Sequence, residues 1–409
     1  MKTRMKHVGQ TYASQLLLGL WGIPIGLLVG LIDTGFGMVL LKLTAFRDLH
    51  PQYLIPFLPA AGIVIAYCYL RFGGKSSKGM NLVFEVGHGE EERIPLRLIP
   101  FVISGTWLTH LFGGSAGREG VAVQIGATFS HFIGRRLPVK AGSSVFLVTG
   151  MAAGFAGLFQ TPLAAVLFAM EVLAAGELRY EALFPALTAS FSASMTSGFL
   201  GLEKFTFDLS DSVSPDLQTL ARLLLLGLLF GFVGGMFAWC LKRAKKLAVS
   251  KIKNPLLRIA LMGILLSILL LLFYRGRYAG LGTNLIQNSF SEGTIYEWDW
   301  LLKFILTVLT LAAGFQGGEV TPLFSIGASL GAVLSGLFGF PLPFAAAMGY
   351  AAVFGSATNT FLAPVFIGAE VFGYAYMPYF FLVCAAAYTF NMNKSIYGLQ
   401  KIKRSAPLK

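Results

Sequence analysis

Residues 113–127 read GGSAGREGVAVQIGA, and residues 314–328 read GFQGGEVTPLFSIGA. Gly113 corresponds to Gly314, so the second stretch repeats the first at an offset of 201 residues. Both stretches end in the same Ile-Gly-Ala triplet, and both carry a glutamate after a run of glycines. A long segment that follows each of them, Phe155–Phe191 and Phe354–Phe390, matches at an offset of 199 and includes one aligned intramembrane glutamate in each copy. The chain is therefore predicted to consist of two homologous halves.

The composition predicts a membrane protein. Only 12% of the 409 residues are charged, whereas soluble domains carry about 25%. Near-continuous apolar runs of spanning or nearly spanning length recur along the chain, for example at 16–32, 53–70, 220–241 and 259–273. The first run continues to Leu41 without a small-residue cleavage pattern, so we expect a retained membrane helix and not a removable signal peptide. The expected fold is all-α, with many short helices and no soluble appendage.

The repeat predicts the domain organisation. We expect one membrane domain over residues 1–409, with a first half at about 12–202 and a second half at about 217–392. An acidic linker at about 203–216 joins the halves, and a basic tail follows at about 393–409. Repeated halves are common in transporters, which hold substrate near the middle of the membrane where the halves meet. The residue matches alone leave open whether the repeat is parallel or inverted.

The net charge of +13 is spread over short basic segments beside the apolar runs, namely 2–6, 71–78, 135–140, 242–258 and 401–409. Basic flanks favour the cytoplasmic side, so we expect cytoplasmic termini and an external acidic linker in a multi-pass protein of the cell membrane, of bacterial type. This distribution disfavours nucleic-acid binding, which needs one basic face. The three cysteines lie in apolar runs and the five histidines show no metal-ligand spacing, so no disulfide, metal or cofactor is expected.

Three glycine-punctuated stretches are expected to be loops that lead into helices: 79–84, 113–120 and 314–322. Pro322 suits a first helical turn. Helix amino termini offer unpaired N–H groups and the positive end of the helix dipole, so two such termini facing each other would attract an anion. The alternative is tight helix packing, which the Gly113-x-x-x-Gly117 spacing by itself favours.

The positions of two glutamates favour an anion site over helix packing. Glu119 and Glu319 lie at corresponding breaks in a chain that otherwise mostly avoids charge in its spans, and such residues are functional candidates. A carboxylate beside an anion path competes with the anion for the same N–H groups. Burial next to an anion favours its protonated form, and protonation frees the site. One glutamate thus suffices for a proton-coupled gate.

The residues Gly117-Arg118-Glu119-Gly120 resemble the G-R-E-G signature of the CLC family of chloride channels and proton-coupled anion antiporters. Residues 318–322 stand where that family has its G-x-F-x-P filter, residues 154–171 resemble the stretch before its internal glutamates, and Tyr397 resembles its inner pore tyrosine. The resemblance covers nearly the whole chain. It implies an inverted repeat of short, tilted helices, a homodimer with one path per subunit, and Glu119 as the external gating and proton-transfer group.

Departures from the chloride-type pattern point to the fluoride-exporting branch of the family. Met80 and Asn81 stand where chloride-type members have a G-S-G-I-P stretch, Val320 replaces the filter phenylalanine, and Val172 replaces the second, proton-conducting carboxylate. The resemblance thus implies a fluoride/proton antiporter that gives resistance to fluoride. Its expected anion-binding residues are Met80, Asn81, Phe84, Gly117, Arg118, Gly120, Gly318, Val320, Thr321 and Tyr397.

Fluoride is small and strongly hydrated, so its site must replace several hydrogen bonds. Expected donors are the Thr321 and Tyr397 hydroxyls, Asn81 if it points inward, and nearby backbone N–H groups, with Phe84 ring edges assisting weakly. Met80 either contributes to the site or only sizes the pore. With Val172 unable to carry protons, Glu319 or fluoride itself as HF is predicted to relay them inside. Glu171 and Glu370 are expected to be structural, either balancing Arg118 or capping helices.

Several alternatives remain at the level of sequence. A chloride/proton exchanger or chloride channel of the same fold is the main one. An intramembrane enzyme would require a catalytic dyad or metal cluster, and neither pattern is present. A passive fluoride channel is disfavoured because such channels are small and lack this repeat. The expected partners are therefore fluoride, protons, the lipid bilayer and a second copy of the chain.

Overall fold

The computed structural model describes residues 2–137, 143–210, 213–291 and 293–402, with side chains from residue 12 onward except Ser143. Outside this part lie Lys140, Asp211, the tail beyond Ile402, and the side chains of the basic amino terminus. The helices are α1 (Lys2–Leu49), α2 (Pro51–Leu54), α3 (Leu58–Cys68), α4 (Met80–Gly87), α5 (Leu98–Leu111), α6 (Glu119–Gly134), α7 (Ser143–Phe159), α8 (Pro162–Glu171), α9 (Leu183–Phe199), α10 (Leu217–Lys251), α11 (Pro255–Leu272), α12 (Thr283–Asn288), α13 (Asp299–Ala313), α14 (Val320–Phe338), α15 (Leu342–Thr358), α16 (Leu362–Phe372) and α17 (Met377–Thr389).

Short turns complete the secondary structure. Single 3₁₀ turns lie at Ile55–Phe57, Gly74–Lys78, Tyr180–Ala182, Tyr274–Gly276 and Tyr374–Tyr376, and a π-helical turn lies at Tyr69–Gly73. Two strands of two residues, β1 (Ala174–Ala175) and β2 (Lys401–Ile402), pair in parallel. This pair departs from the all-helical expectation only locally, because it anchors the returning carboxyl-terminal segment beside the end of α8.

Within the described residues, five helical stretches are long and apolar enough to cross a membrane: Tyr12–Leu49, Pro51–Gly87, Leu217–Lys251, Pro255–Leu272 and Val320–Phe338. Shorter apolar helices such as α8 and α16, with 10 and 11 residues, cannot span about 30 Å of hydrocarbon alone. They lie instead in the interior, where most of their side chains are buried by neighbouring helices. The expected all-α membrane protein of many short helices is confirmed.

Equivalent helices of the two repeats pack in the same way. Helix α6 crosses α7 so closely that a Cβ on Gly126 would lie 2.1 Å from the Gly150 carbonyl oxygen. In the second repeat, α14 crosses α15 with the same 2.1 Å between a Cβ on Gly327 and the Gly349 oxygen. Small residues at both crossings allow backbone-to-backbone contact, as is usual between membrane helices.

Two glutamates show that equivalent helices of the two repeats run antiparallel, as an inverted repeat requires. The Glu171 carboxylate, at the end of α8, accepts hydrogen bonds from backbone N–H groups at the start of α16, at 2.6 Å from Phe361 N and 3.1 Å from Leu362 N. Its equivalent Glu370, near the end of α16, accepts from Leu163 N at 3.1 Å and Ala164 N at 2.8 Å at the start of α8. Each short helix therefore ends where the other begins. The capping role expected for these residues is confirmed.

Candidate anion site

Three helices begin at the three predicted glycine-rich stretches. Helix α6 begins at Glu119, α14 at Val320 and α4 at Met80. Gly79, Gly113 and Gly317 have φ values of +54°, +92° and +151°, which glycine adopts without the steric cost that other residues bear. The predicted loop-to-helix transitions are confirmed, with Pro322 in the first turn of α14.

The two glycine loops meet at equivalent residues. Gly117 and Gly318 form an antiparallel bridge, with N···O distances of 2.6 Å and 2.8 Å for its two hydrogen bonds. A Cβ on Gly117 would lie 2.8 Å from Pro322 Cδ and 3.0 Å from the Gly318 oxygen, so only glycine fits here. The helix-packing interpretation of the Gly113-x-x-x-Gly117 spacing is wrong, because these residues lie in a loop whose backbone crosses the other repeat.

The Glu119 carboxylate occupies the space between the two helix starts. Its Oε2 atom accepts hydrogen bonds from Thr321 N at 3.1 Å and Arg118 N at 3.3 Å, and from the Thr321 hydroxyl. The side chain is fully buried, and Oε1 has no hydrogen-bond partner in the described part of the chain. The carboxylate thus uses donors at the amino terminus of α14 that would otherwise bind a free anion.

Arg118 provides a cation beside this carboxylate. Its Nε lies 3.8 Å from Glu119 Oε1, and within the described residues its buried Nε and Nη1 have no hydrogen-bond partner. A buried guanidinium with unused donors attracts negative charge strongly because solvent does not screen it. The site therefore carries more donors than the carboxylate uses.

An aromatic pair lies beside the third helix start. Phe84 in α4 stacks on Tyr397 with ring centroids 5.2 Å apart, and both rings are buried. Phe168 in α8 contacts the other side of Tyr397 at 6.4 Å between centroids. Tyr397 also lines a cavity of about 1060 Å³ whose wall includes Lys242, Arg243, Lys246 and Lys394. The tyrosine therefore separates the buried interior from a basic vestibule.

The remaining predicted residues lie around the starts of α4, α6 and α14. Met80 is half-buried at the start of α4, whereas the Asn81 side chain is exposed and does not point into the buried interior. Glu319 stands just before α14 and its Oε1 lies 3.6 Å from Lys245 Nζ. Gly120 and Val320 are buried within the first turns of α6 and α14.

Three residues of this region were not predicted as site residues. Gln124 is buried in α6, its Oε1 has no partner among the described residues, and it faces Gly79 at 3.3 Å from a Cβ built there. Lys245 pairs with Glu319, although its sequence context indicates only a basic helix end. Tyr350 lies near enough to Glu119 and Arg118 to interact with their charges. The glutamine stands four residues after the end of the GREG stretch, which is the only sequence signal among the three.

Taken together, an inverted repeat of short helices, with helix amino termini from both repeats around a buried glutamate, defines a membrane protein built to handle anions. The family model described as voltage gated chloride channel matches residues 61–392. The chain belongs to this family, the CLC family.

Individual relatives agree with this assignment. The chain is 35% identical over 395 residues to a chloride/fluoride channel protein of Pseudomonas syringae pv. tomato, covering 94% of this chain and 87% of the relative. It is 29% identical over 336 residues to an H(+)/Cl(−) exchange transporter of Yersinia pestis, covering 76% and 68%.

Solved structures give the same fold. A CLC-type fluoride/proton antiporter superimposes with a TM-score of 0.94 at 55% identity, covering 95% of this chain and 98% of that one. A slow cyanobacterial Cl−/H+ antiporter superimposes with a TM-score of 0.80 at 18% identity, covering 92% and 94%. At that identity the second likeness supports the fold alone.

Proposed function

We propose that this protein is a fluoride/proton antiporter that exports fluoride and thereby gives resistance to it. The observation that carries the proposal is the Glu119 carboxylate held by the Thr321 N–H and hydroxyl, because an ionisable group in an anion's place couples anion binding to protonation. The 55% identity to a fluoride/proton antiporter over 95% of the chain supports fluoride as the anion.

In the proposed cycle, Glu119 is the gate. While it is ionised, its carboxylate uses the Thr321 donors and no anion can take them. When it is protonated, it no longer competes, and fluoride binds between the starts of α6 and α14. Movement of the protonated side chain then carries a proton in the direction opposite to fluoride. The protein is in this proposal a secondary active transporter and not an enzyme.

The anion path is proposed to run from the basic vestibule past Tyr397 to the Glu119 site. Strongly hydrated fluoride needs close donors in place of water. Thr321, Tyr397, Arg118 and the N–H groups of Gly120 and Val320 would supply them, whereas the N–H groups of Gly117 and Gly318 are used in the bridge between the repeats. Phe84 and Met80 would line the inner end, and Asn81, being exposed, would act only near the vestibule.

Glu319 is proposed to relay protons between the vestibule and Glu119. It stands next to Val320 at the start of α14, and its pairing with Lys245, which lies in sequence between the vestibule residues Ala244 and Lys246, supports this role. The Val172 position, buried among apolar side chains, offers no protonatable alternative.

The topology and assembly of the protein are also proposals. The basic flanks support cytoplasmic termini and an external acidic linker, with repeat boundaries at about 12–202 and 217–392. Family membership supports a homodimer. Described residues on α9 and α17 expose large apolar side chains, such as Phe191, Met195, Phe199 and Phe381.

The decisive experiment is reconstitution into liposomes with anion-selective electrodes and a pH probe. We expect fluoride efflux that exceeds chloride efflux and that drives protons inward. Chloride efflux equal to or faster than fluoride efflux would contradict the fluoride assignment. Fluoride flux without proton movement would instead favour a channel, the alternative suggested by the name of the Pseudomonas relative.

A further inference from the structure

A lysine in the membrane interior is held by the loop that leads to Glu119. Lys303 in α13 is fully buried, and its Nζ donates to Ser115 Oγ at 2.9 Å, Gly280 O at 2.7 Å and Tyr278 O at 3.1 Å. Three ammonium protons thus meet three acceptors, which satisfies the group completely. All three acceptors are neutral oxygen atoms.

The charge of Lys303 is not neutralised by a carboxylate. Asp299, one helical turn earlier, is bound instead to Arg277 at 2.7 Å and to the Tyr278 hydroxyl at 2.6 Å. Lys303 forms no ion pair within the described residues, and a second buried cation, Arg47, is close enough to interact with it electrostatically. An unpaired buried charge is costly to fold around, so a role for the charge itself is the natural explanation.

Lys303 anchors the segment that positions the gate. Ser115, its side-chain partner, also bonds Thr307 Oγ1 at 2.8 Å, and its N–H bonds Thr310 Oγ1 at 3.2 Å. Beside it, Gly280 exchanges hydrogen bonds with Ala116 N and Gly114 O. The anchored segment ends at Glu119 only four residues after Ser115.

The same lysine also lies next to the opposite side of the anion site. A Cβ on Gly282 would stand 2.7 Å from both Lys303 Cε and Ser325 Oγ, so these two atoms are neighbours. Ser325 is one helical turn after Thr321, which holds Glu119, and its buried hydroxyl has no hydrogen-bond partner in the described chain. The lysine side chain therefore contacts the loop before Glu119 on one side and lies near helix α14 on the other.

The first repeat has no counterpart of this charge. The repeat offset of 201 aligns Lys303 with Val102, a buried apolar residue in α5. The fold of a repeat can therefore be built with an apolar side chain at this position. The lysine occurs only in the repeat whose helix supports the Glu119 loop.

We propose that Lys303 is a positioning residue for transport, which fixes the 113–118 loop and supplies the uncompensated positive charge that strengthens fluoride binding at the Glu119 site. This inference rests on the proposed function. Fluoride would meet a site whose field is already positive before Glu119 is protonated. Lys303 acts on the anion through its electric field and through the 113–118 loop, and it does not contact the anion.

The test compares Lys303→Met, Lys303→Gln and Lys303→Arg in liposomes, measuring the half-saturating fluoride concentration and the maximal flux separately. Met and Gln are expected to raise the half-saturating concentration about fivefold, because removing a buried positive charge near the site weakens anion binding, while Arg keeps it near the wild-type value. Thr307→Val separates the two roles of Lys303: it removes a Ser115 hydrogen bond but no charge, so it should raise that concentration less than the loss of the Lys303 charge does.

Unchanged half-saturation in both neutral variants would overturn the proposal, as would an equal rise in Thr307→Val. Met and Gln differ in shape, so a folding defect in one variant would leave the other informative. A misfolded variant is recognised by its altered elution in size-exclusion chromatography. If the wild-type protein carried no fluoride, the proposed function would fail separately. The same comparison would then be made with the anion that it does carry.

Discussion

At the residue scale, the proposed mechanism depends on a carboxylate that competes with the transported anion. Glu119 accepts from Thr321 across the interface of the repeats, while Arg118 beside it keeps unused donors. Once the Glu119 carboxylate is neutral, a small anion could accept hydrogen bonds from the same Thr321 and Arg118 donors. Residue-scale predictions therefore concern charge more than shape.

Replacing Glu119 by glutamine keeps the shape and removes the charge. We expect Glu119→Gln to move fluoride without proton countertransport, with coupled proton flux reduced at least about tenfold, because the amide cannot exchange a proton. Simultaneous electrode and pH recordings on liposomes measure both fluxes. Glu90→Gln, at an exposed glutamate, is the matched control. Proton coupling that survived in Glu119→Gln would rule out this residue as the proton carrier.

Replacing Glu319 tests the inner relay. We expect Glu319→Gln to slow proton flux more than fluoride binding, because only the protonatable group is lost. Lys245→Gln, which removes the partner at 3.6 Å but keeps the carboxyl group, should have a smaller effect. The measurement is the proton-to-fluoride flux ratio. An unchanged ratio in Glu319→Gln would leave HF as the inner carrier of protons.

Asp33 in α1 is a buried carboxyl group outside the proposed path. It is fully buried, and neither oxygen has a hydrogen-bond partner in the described residues. Because a buried, unpaired acid is costly, we expect Asp33→Asn to keep transport and to leave thermal stability equal or higher. Asp33→Leu is the companion variant, and a shift in melting temperature in detergent is the readout. Loss of transport in a well-folded Asp33→Asn would instead assign this carboxyl group a part in the mechanism.

At the scale of elements, two short helices stabilise each other through their ends. Glu171 and Glu370 exchange caps between α8 and α16, and neither helix is long enough to be stable alone. Backbone N–H groups at a helix start that lose an acceptor in the membrane have no water to replace it. The two capping glutamates therefore hold α8 and α16 together in the interior of the molecule.

Removing either capping charge should destabilise the protein by a similar amount. We expect Glu171→Gln and Glu370→Gln each to cost about 1–3 kcal/mol, since charge-assisted bonds to buried N–H groups are lost. Thermal unfolding followed by size-exclusion chromatography measures the change, with the exposed-loop variant Glu181→Gln as control. If only one of the two variants were destabilised, the symmetric capping would not be the main source of stability.

At the scale of the whole molecule, the two repeats meet backbone to backbone at the site. The bridge between Gly117 and Gly318 brings the starts of α6 and α14 together, and no side chain fits there. The anion site therefore exists only when both repeats are folded and docked. The same backbone contact holds the two repeats together and forms part of the candidate anion site.

A single methyl group at the bridge should break the site. We expect Gly117→Ala to reduce fluoride flux at least about tenfold, because its Cβ would stand 2.8 Å from Pro322 and the loops must separate. Gly336→Ala in α14, where a Cβ meets nothing within 4 Å, should leave flux unchanged. Liposome flux at equal protein density is the measurement. Normal flux in Gly117→Ala would show that the bridge is not needed for transport.

The sequence by itself determined the membrane class, the repeat and the three helix starts, because apolar run length, identical spacing and glycine-proline punctuation are local properties. It also singled out Glu119 and Glu319, since charge is rare in these spans. Only the tertiary structure showed that Gly117 crosses Gly318 in a loop, that Asn81 is exposed, that Lys245 pairs with Glu319, and that Lys303 binds Ser115 in the loop before Glu119. The contacts Lys245–Glu319, Lys303–Ser115 and Gly117–Gly318 join residues 74, 188 and 201 positions apart, and no local pattern encodes which distant residue a side chain or loop will meet.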